Sequence, residues 1–352
     1  MPRVVLITGV GRPLGSRFAA KLAADDSIER IIGVDTAPPR GDVLGTLGRT
    51  EFVRADIRNP LIAKVVSSAN VDTVVHLNLL ANSDGVGGRA AMKEINVIGA
   101  MQLLAACQKA ASLRRFVVKS TTEVYGSSPR DPAFFTEDAE PKSPPASGAG
   151  RDALDVEQYV RGFARRRPDV AVAMLRFAEM LGPGIENTFT RYLSRPVTPT
   201  VLGFDPRIQF AHVADVLSAL EKVTKSQHHG SYNIAGPGVL LLSQALRRAG
   251  RVPVPLPSSA ASVLGSGLSR LGTAELSPDQ VRFLQYGRVV DTSKATRELG
   301  FRPHFSTPEA FDDFVRSHDL TALIGSDALA ELEGTALAWL RSMRTGRGTS
   351  NV

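Results

Sequence analysis

Short apolar runs alternate with helically spaced apolar positions through the first half of the chain. Runs at 3–8, 30–35, 51–55, 72–77, 115–120 and 170–177 read as strands, and segments 14–24, 60–68, 88–110 and 150–166 read as helices. This alternation predicts an α/β fold, a doubly wound parallel sheet with helices on both faces. After residue 180 helical patterns mix with short strands such as 230–235, which predicts a smaller mixed α/β C-terminal substrate domain. The organisation expected is a nucleotide-binding domain over 1–180, interleaved with later segments, a substrate-binding lobe over 181–318, and a helical extension and tail over 319–352. Segment 126–149, rich in Pro, Ser, Asp and Gly, and segment 251–274, with Pro253, Pro255 and Pro257, read as loops. A helical run at 328–343 leads into a basic tail at 344–352.

The first strand and helix carry the strongest chemical signal. Val4-Val5-Leu6-Ile7 runs into Thr8-Gly9-Val10-Gly11-Arg12-Pro13-Leu14-Gly15, and helical spacing follows at once. Strand, glycine turn and helix together place a pyrophosphate on a helix N-terminus. The next apolar run ends at Asp35, about 20 residues on, where a carboxylate can accept both hydroxyls of an adenosine ribose. A Rossmann-type dinucleotide site is therefore expected. Asp35 favours NAD over NADP, because a fixed negative charge repels a 2′-phosphate. Arg12 works the other way, since a guanidinium in the turn can pair with that phosphate.

Composition narrows the partners. The chain has 352 residues, 43% of them hydrophobic, and a net charge of +7. That charge is spread along both halves, and no aromatic residues interleave with basic ones, so nucleic acid is not an expected partner. No run of apolar residues is long enough to cross a membrane. Met1-Pro2-Arg3 leads straight into the first strand without a signal peptide, and the single cysteine, Cys107, excludes an internal disulfide. A cytoplasmic protein is expected. Cys107 sits in an apolar helical run and reads as structural.

These segments together resemble the extended short-chain dehydrogenase/reductases, the family of NAD-dependent sugar-nucleotide epimerases and dehydratases. The resemblance runs over roughly residues 3–315. It rests on the Thr-Gly turn, Asp35, Asp56-Ile57-Arg58, Val74-Val75-His76-Leu77, Asn96-Val97-Ile98-Gly99, Ser120-Thr121-Thr122-Glu123-Val124-Tyr125-Gly126, Leu175-Arg176-Phe177, Phe210-Ala211-His212-Val213 and Asp291-Thr292-Ser293-Lys294. The overall look is similar to an actinobacterial subgroup described as UDP-glucose 4-epimerase-like. The resemblance implies that Gly9, Gly11, Arg12, Leu14 and Gly15 form the turn, that Asp35 holds the ribose, that Asp56 and Ile57 hold the adenine, and that Asn96 belongs to the cofactor site. It also implies NAD as cofactor, a small-molecule substrate such as a nucleotide sugar, and a homodimer built on helices 88–110 and 150–166.

The departures from the family are concentrated. Gly11 arrives one residue early, and Arg12 stands in the middle-glycine place. That leaves two readings open, a turn that offsets lost approach with charge and a turn that no longer binds nucleotide. The family reacts through Tyr-x-x-x-Lys, but Ser147 and Arg151 stand there, and the chain contains no such pair anywhere. A serine hydroxyl is far less acidic than a phenol of pKa about 10. Thr121 falls at the family's catalytic Ser or Thr. Glu123 matches the second acid of the Ser-Thr-Asp-Glu-Val-Tyr-Gly segment of 4,6-dehydratases, which makes it either a substitute acid/base or a solvated loop glutamate. Tyr125 reads as structural. On the substrate side Glu179 replaces a phosphate-contacting Asn and would repel a diphosphate, while Ile208 replaces a phosphate-binding Arg, with Arg207 one residue out of register. His212 has no partner at ligand spacing and reads as structural, so no metal is expected. Three functions stay open: an enzyme with another proton relay, an NAD-binding regulatory or interaction protein with little turnover, and a scaffold without nucleotide.

Overall fold

The structure is a computed structural model describing residues 2–38, 47–83, 86–257 and 277–320. Its strands are β1 Val4–Thr8, β2 Arg30–Asp35, β3 Glu51–Arg54, β4 Thr73–His76, β5 Arg115–Thr121, β6 Ala171–Phe177, β7 Glu179–Leu181, β8 Val197–Val201, β9 Arg207–Ile208, β10 Phe210–His212, β11 Gly230–Ile234, β12 Leu240–Leu241 and β13 Val252–Leu256. The helices are α1 Pro13–Ala23, α2 Ile62–Ser68, α3 Arg89–Lys93, α4 Gly99–Gln108, α5 Gly148–Arg166, α6 Thr188–Leu193, α7 Val213–Lys225, α8 Leu242–Arg248, α9 Pro278–Tyr286, α10 Ser293–Leu299 and α11 Thr307–Ser317.

Seven strands form one sheet in the order β3-β2-β1-β4-β5-β6-β11, all parallel. The winding reverses between β1 and β4. Chains leaving these two strands diverge to opposite faces and open a crevice at the carboxyl edge, the place where such sheets bind ligands. The central strands are buried at nearly every position because helices cover both faces. α1 starts immediately after the glycine turn because Pro13 presets the first helical φ and lacks only an N–H the helix would not use. Leu14, Phe18, Ala19 and Leu22 then bury one face.

The predicted strands of the first half occur within one residue of their expected ends. Helix 88–110 differs. It is broken by a π turn, Glu94–Ile98, between α3 and α4. The wider turn carries Asn96, whose amide bonds the Leu80 backbone N–H at 2.7 Å and carbonyl at 3.1 Å and the Asp152 carboxylate at 3.0 Å. Segment 251–257 also departs from the loop expected there, since Val252–Leu256 pairs in parallel with β8. Pro253 and Pro255 fit because a two-stranded ribbon leaves the strand an edge, where a missing N–H breaks no ladder. Residues 258–276, the run 328–343 and the tail 344–352 lie outside the described residues.

A second, smaller core gathers Leu181, Phe189, Leu193, Phe210, Leu246 and Phe311 beyond the sheet's carboxyl edge. One buried ion pair connects the sheet to what lies over it. The Arg176 guanidinium of β6 bonds both Glu157 oxygens of α5, at 2.9 and 2.7 Å, and these side chains are 6% and 1% exposed. Arg176 also donates to the Tyr125 hydroxyl and the Glu137 carbonyl. Tyr125 donates to Asn233 of β11, and Ser120 of β5 donates to Glu157. Every lone pair that would make this burial costly thus has a donor.

Removing one member of a buried pair leaves the other charge stranded. Arg176→Met is expected to lower unfolding stability by about 3–5 kcal/mol in urea titrations. Arg176→Met with Glu157→Met is expected to recover much of that loss, and strictly additive losses would contradict the pairing.

Candidate functional site

The cradle for a dinucleotide is built at the β1–α1 turn. Gly9 takes φ +81° and packs against Asn78, while a Cβ on Gly15 would collide with the Gly9 carbonyl. That approach lets α1 point its N-terminus at the crevice. Gly11 is equally constrained, because a Cβ there would lie 2.6 Å from the Ala37 carbonyl and 2.9 Å from an Asp35 oxygen. The Gly11 N–H donates to Asp35 Oδ2 at 2.9 Å and the Thr36 N–H donates to Oδ1 at 2.7 Å, which fixes the carboxylate at the end of β2. Leu14 is buried in α1.

Arg12 caps α1 through its backbone with no side-chain bond to the helix. Its Nε is buried without a partner, as are Asn78 Oδ1 and His76 Nε2. Burial lowers the Arg12 pKa and Asp35 opposes the shift. Orphaned polar atoms beside glycines that admit no side chain are what a cradle for a polar, anionic ligand requires. The residues present fit a dinucleotide.

Three cofactor candidates have other engagements. Asp56 is held by Arg58 at 2.7 Å and is driven below the ordinary carboxylate range by that bond. Ile57 is buried against Gly99. The Asn96 amide is spent on Leu80 and Asp152, so it supports the loop after β4 and has no donor left for a ligand.

Beyond the cradle lies a cavity of about 370 Å³ lined by residues that include Glu123, Ser147, Glu179, Arg195, Phe283 and Arg288. Thr121 ends β5, and its hydroxyl accepts the Glu123 N–H at 3.2 Å. Glu123 is no solvated loop residue: its carboxylate meets the Gly150 N–H in the first turn of α5, and burial raises its pKa. Gly150 permits this closeness, since a Cβ there would stand 3.0 Å from Glu123 Cβ. Ser147 precedes α5 without capping it, and its N–H reaches Asp279 at 3.4 Å. Arg151 pairs with Asp155 one turn along α5, at 3.1 Å.

Two site residues, Arg288 and Lys119, escaped the sequence reading, and a third, Glu179, was read only in part. Arg288 donates to Thr122 Oγ1 and the Gly126 carbonyl, stacks over Phe283, and lies 3.9 Å from Glu179. Glu179, expected only to repel phosphate, faces Glu123 across this arginine; burial first, then the Glu123 charge, pushes it up to about 7. Lys119 of β5 donates to the Leu79 carbonyl at 2.9 Å and is brought down to about 8 by burial, with Arg12 adding to the shift. A lysine inside the run Phe116-Val117-Val118-Lys119 was the available signal.

Other candidates are structural. His212 caps α7, stacks on Phe305 and meets Asp313 at 3.1 Å, a partner 101 residues away that no local spacing shows. Ile208 is fully buried, and Arg207 donates to the Ala133 carbonyl. Burial pushes the Cys107 thiol up to about 12. Among the described residues no cluster of His, Cys, Asp or Glu can hold a metal ion, and no helix is long and apolar enough to cross a membrane.

The sequence profile of the NAD dependent epimerase/dehydratase family matches residues 5–235. The chain belongs to this family. It is 50% identical over 336 residues to an uncharacterized protein of Mycobacterium tuberculosis, covering 96% of this chain and 89% of that one. A low-salt glycan biosynthesis protein of Haloferax volcanii is 31% identical over 253 residues, or 67% of this chain and 78% of the relative. In fold the chain is similar to UDP-glucose 4-epimerase of Thermotoga maritima with UDP-glucose, at TM-score 0.69 and 21% identity over 90% of this chain and 98% of that one. It is equally similar to UDP-glucuronic acid 4-epimerase of Bacillus cereus in complex with UDP-glucuronic acid and NAD, at TM-score 0.69 and 20% identity over 90% and 99%.

Glu179 makes stability depend on pH. The folded chain holds its proton from about 4.5 up to about 7, so the stabilisation is full below the lower value and is lost as pH rises through the upper one. Glu179→Gln is expected to gain thermal stability relative to the parent between pH 5 and 8. Melting curves that run parallel across that range would contradict the assignment.

Proposed function

We propose that this chain is an NAD-dependent epimerase, dehydratase or related oxidoreductase acting on a small polyhydroxylated substrate of the nucleotide-sugar class, with a proton relay that does not use a tyrosine. The reading is carried by Glu123, a carboxyl two residues from Thr121, which stands in the cavity wall with its pKa raised by burial. Bound NAD would supply a hydride acceptor and donor. Thr121 would orient the reacting hydroxyl or carbonyl. Glu123 would accept and return its proton, with Glu179 holding a second proton near neutrality and Arg288 lowering the cost of ionising either carboxylate. Two carboxylates facing one cation titrate as a unit.

Asp35 supports NAD over NADP, because both its oxygens are fixed by backbone N–H groups and its charge stays where a 2′-phosphate would lie. With Ile208 in the core, Arg195 in the cavity wall is the candidate for a substrate phosphate. A homodimer through α4 and α5 is supported by exposed Met101 and Tyr159 on those helices, with Ile98 just before α4. A second reading, an NAD-binding protein with little turnover, is favoured by Ser147 and by the engagement of Arg151 with Asp155.

Nucleotide released by denaturing purified protein and identified by mass spectrometry is expected to be NAD. Incubation with a panel of nucleotide sugars is expected to give turnover that Glu123→Gln reduces by about 10²–10⁴-fold while bound NAD is retained. Retained NAD without turnover would favour the second reading, and Ser147→Tyr with Arg151→Lys would then test whether only the relay was lost.

A further inference from the structure

The missing dyad removes a lysine from α5, and the arginine in its place pairs with Asp155. A second lysine stands nearby on a different element. Lys119 and Thr121 are two residues apart on β5 and share one face of the sheet, while Ser120 between them faces α5 and donates to Glu157. The Lys119 ammonium bonds only the Leu79 carbonyl, in the loop that follows β4. An ammonium has three donors, so two are left for a ligand. The charged and titratable groups around it come from three elements. Arg12 approaches from the glycine turn, Glu123 from the turn after β5, and His76 from β4. His76 is held neutral, brought down to about 4 by burial and by Lys119, and it bonds Thr8 at 2.7 Å. Arg12 carries a buried Nε with no partner. Two cations thus lie near each other beside the glycine turn, with Asp35 near the guanidinium and Glu123 near the ammonium.

We infer that Lys119 is a cofactor-binding residue, contacting the phosphate–ribose segment of a bound dinucleotide from β5 and linking its affinity to pH. The inference rests on the dinucleotide reading of the cradle and is independent of whether a sugar is turned over. Without ligand, desolvation and Arg12 make the ammonium easy to deprotonate. An anionic diphosphate placed beside it offsets both effects by favouring the charged form, and restores the proton. Below pH about 8 the free chain already carries the proton, so affinity is flat. Above that value binding takes a proton from solvent, and affinity falls toward ten-fold per pH unit until the bound-state value is reached.

The test is isothermal titration of the purified full chain, stripped of nucleotide, with NAD between pH 6.5 and 9.5. Two buffers of different ionisation enthalpy count the protons. The expected result is proton uptake approaching one per site above pH 8 and affinity that declines over the same range. Lys119→Met is expected to bind about ten-fold or more weakly at pH 7 with a flat profile. Lys119→Arg is expected to restore affinity at pH 7 and stay flat to pH 9.5, because a guanidinium does not titrate there. A lysine that merely tethers Leu79 would leave the proton count at zero, and that result overturns the inference, as does Lys119→Met binding like the parent. If Lys119→Met fails to fold, the parent's proton count and the arginine variant decide alone. Binding with the expected proton uptake but no sugar turnover upholds Lys119 while overturning the enzyme reading. No binding of NAD by the parent overturns both.

Discussion

The buried Arg176–Glu157 pair is the constraint on which the rest of this molecule depends. It fastens β6 to α5, and through Tyr125, Ser120 and Asn233 it also fixes the end of β5, the turn after it and the edge strand β11. Thr121 and Glu123 lie on that turn, and Gly150 begins the helix. This edge of the crevice is therefore held by a polar lattice inside the protein and not by the hydrophobic sheet alone. Such a lattice is stabilising only when every member is satisfied, and its reach across four elements means that it specifies their mutual placement. Leu and Val side chains would bury as much surface without imposing one angle between α5 and the sheet.

On that frame the two halves of the crevice are constrained differently. The β1–α1 turn is limited by backbone contact: Gly9, Gly11 and Gly15 have neighbours a Cβ would strike. Little can change there without losing the turn itself. The wall formed by α5 and the turn after β5 is limited by charge. Glu123 settles against the first turn of α5, and a second glutamate shares Arg288 with it. Small residues at 148–150 make that settlement sterically possible.

Legibility in the sequence followed the range of the interactions. β1, the glycine turn and Asp35 were readable because strand, turn and helix are contiguous and each residue's role is local. Thr121 and Glu123 were readable by position, yet whether Glu123 met solvent or protein depended on α5, and no local pattern carries that. Glu179 was visible as a change without a partner, since its charge is balanced by Arg288, more than a hundred residues on. Lys119 was hidden inside an apolar run that correctly announced a strand. Val252–Leu256 was hidden by its prolines, which signal loops everywhere except at an unpaired edge.

The π turn at Glu94–Ile98 has an evolutionary consequence. Such a turn is an α-helix carrying one residue too many, and each residue advances an α-helix by about 100°. Loss of a single codon in this stretch would restore a continuous helix and swing Asn96 away from Leu80 and Asp152. The loop after β4, one lip of the crevice, would lose its support without any change in the crevice's own residues. Among relatives of this chain, single-residue gaps at this turn are accordingly a more telling marker of a rebuilt cofactor lip than substitutions at the glycines.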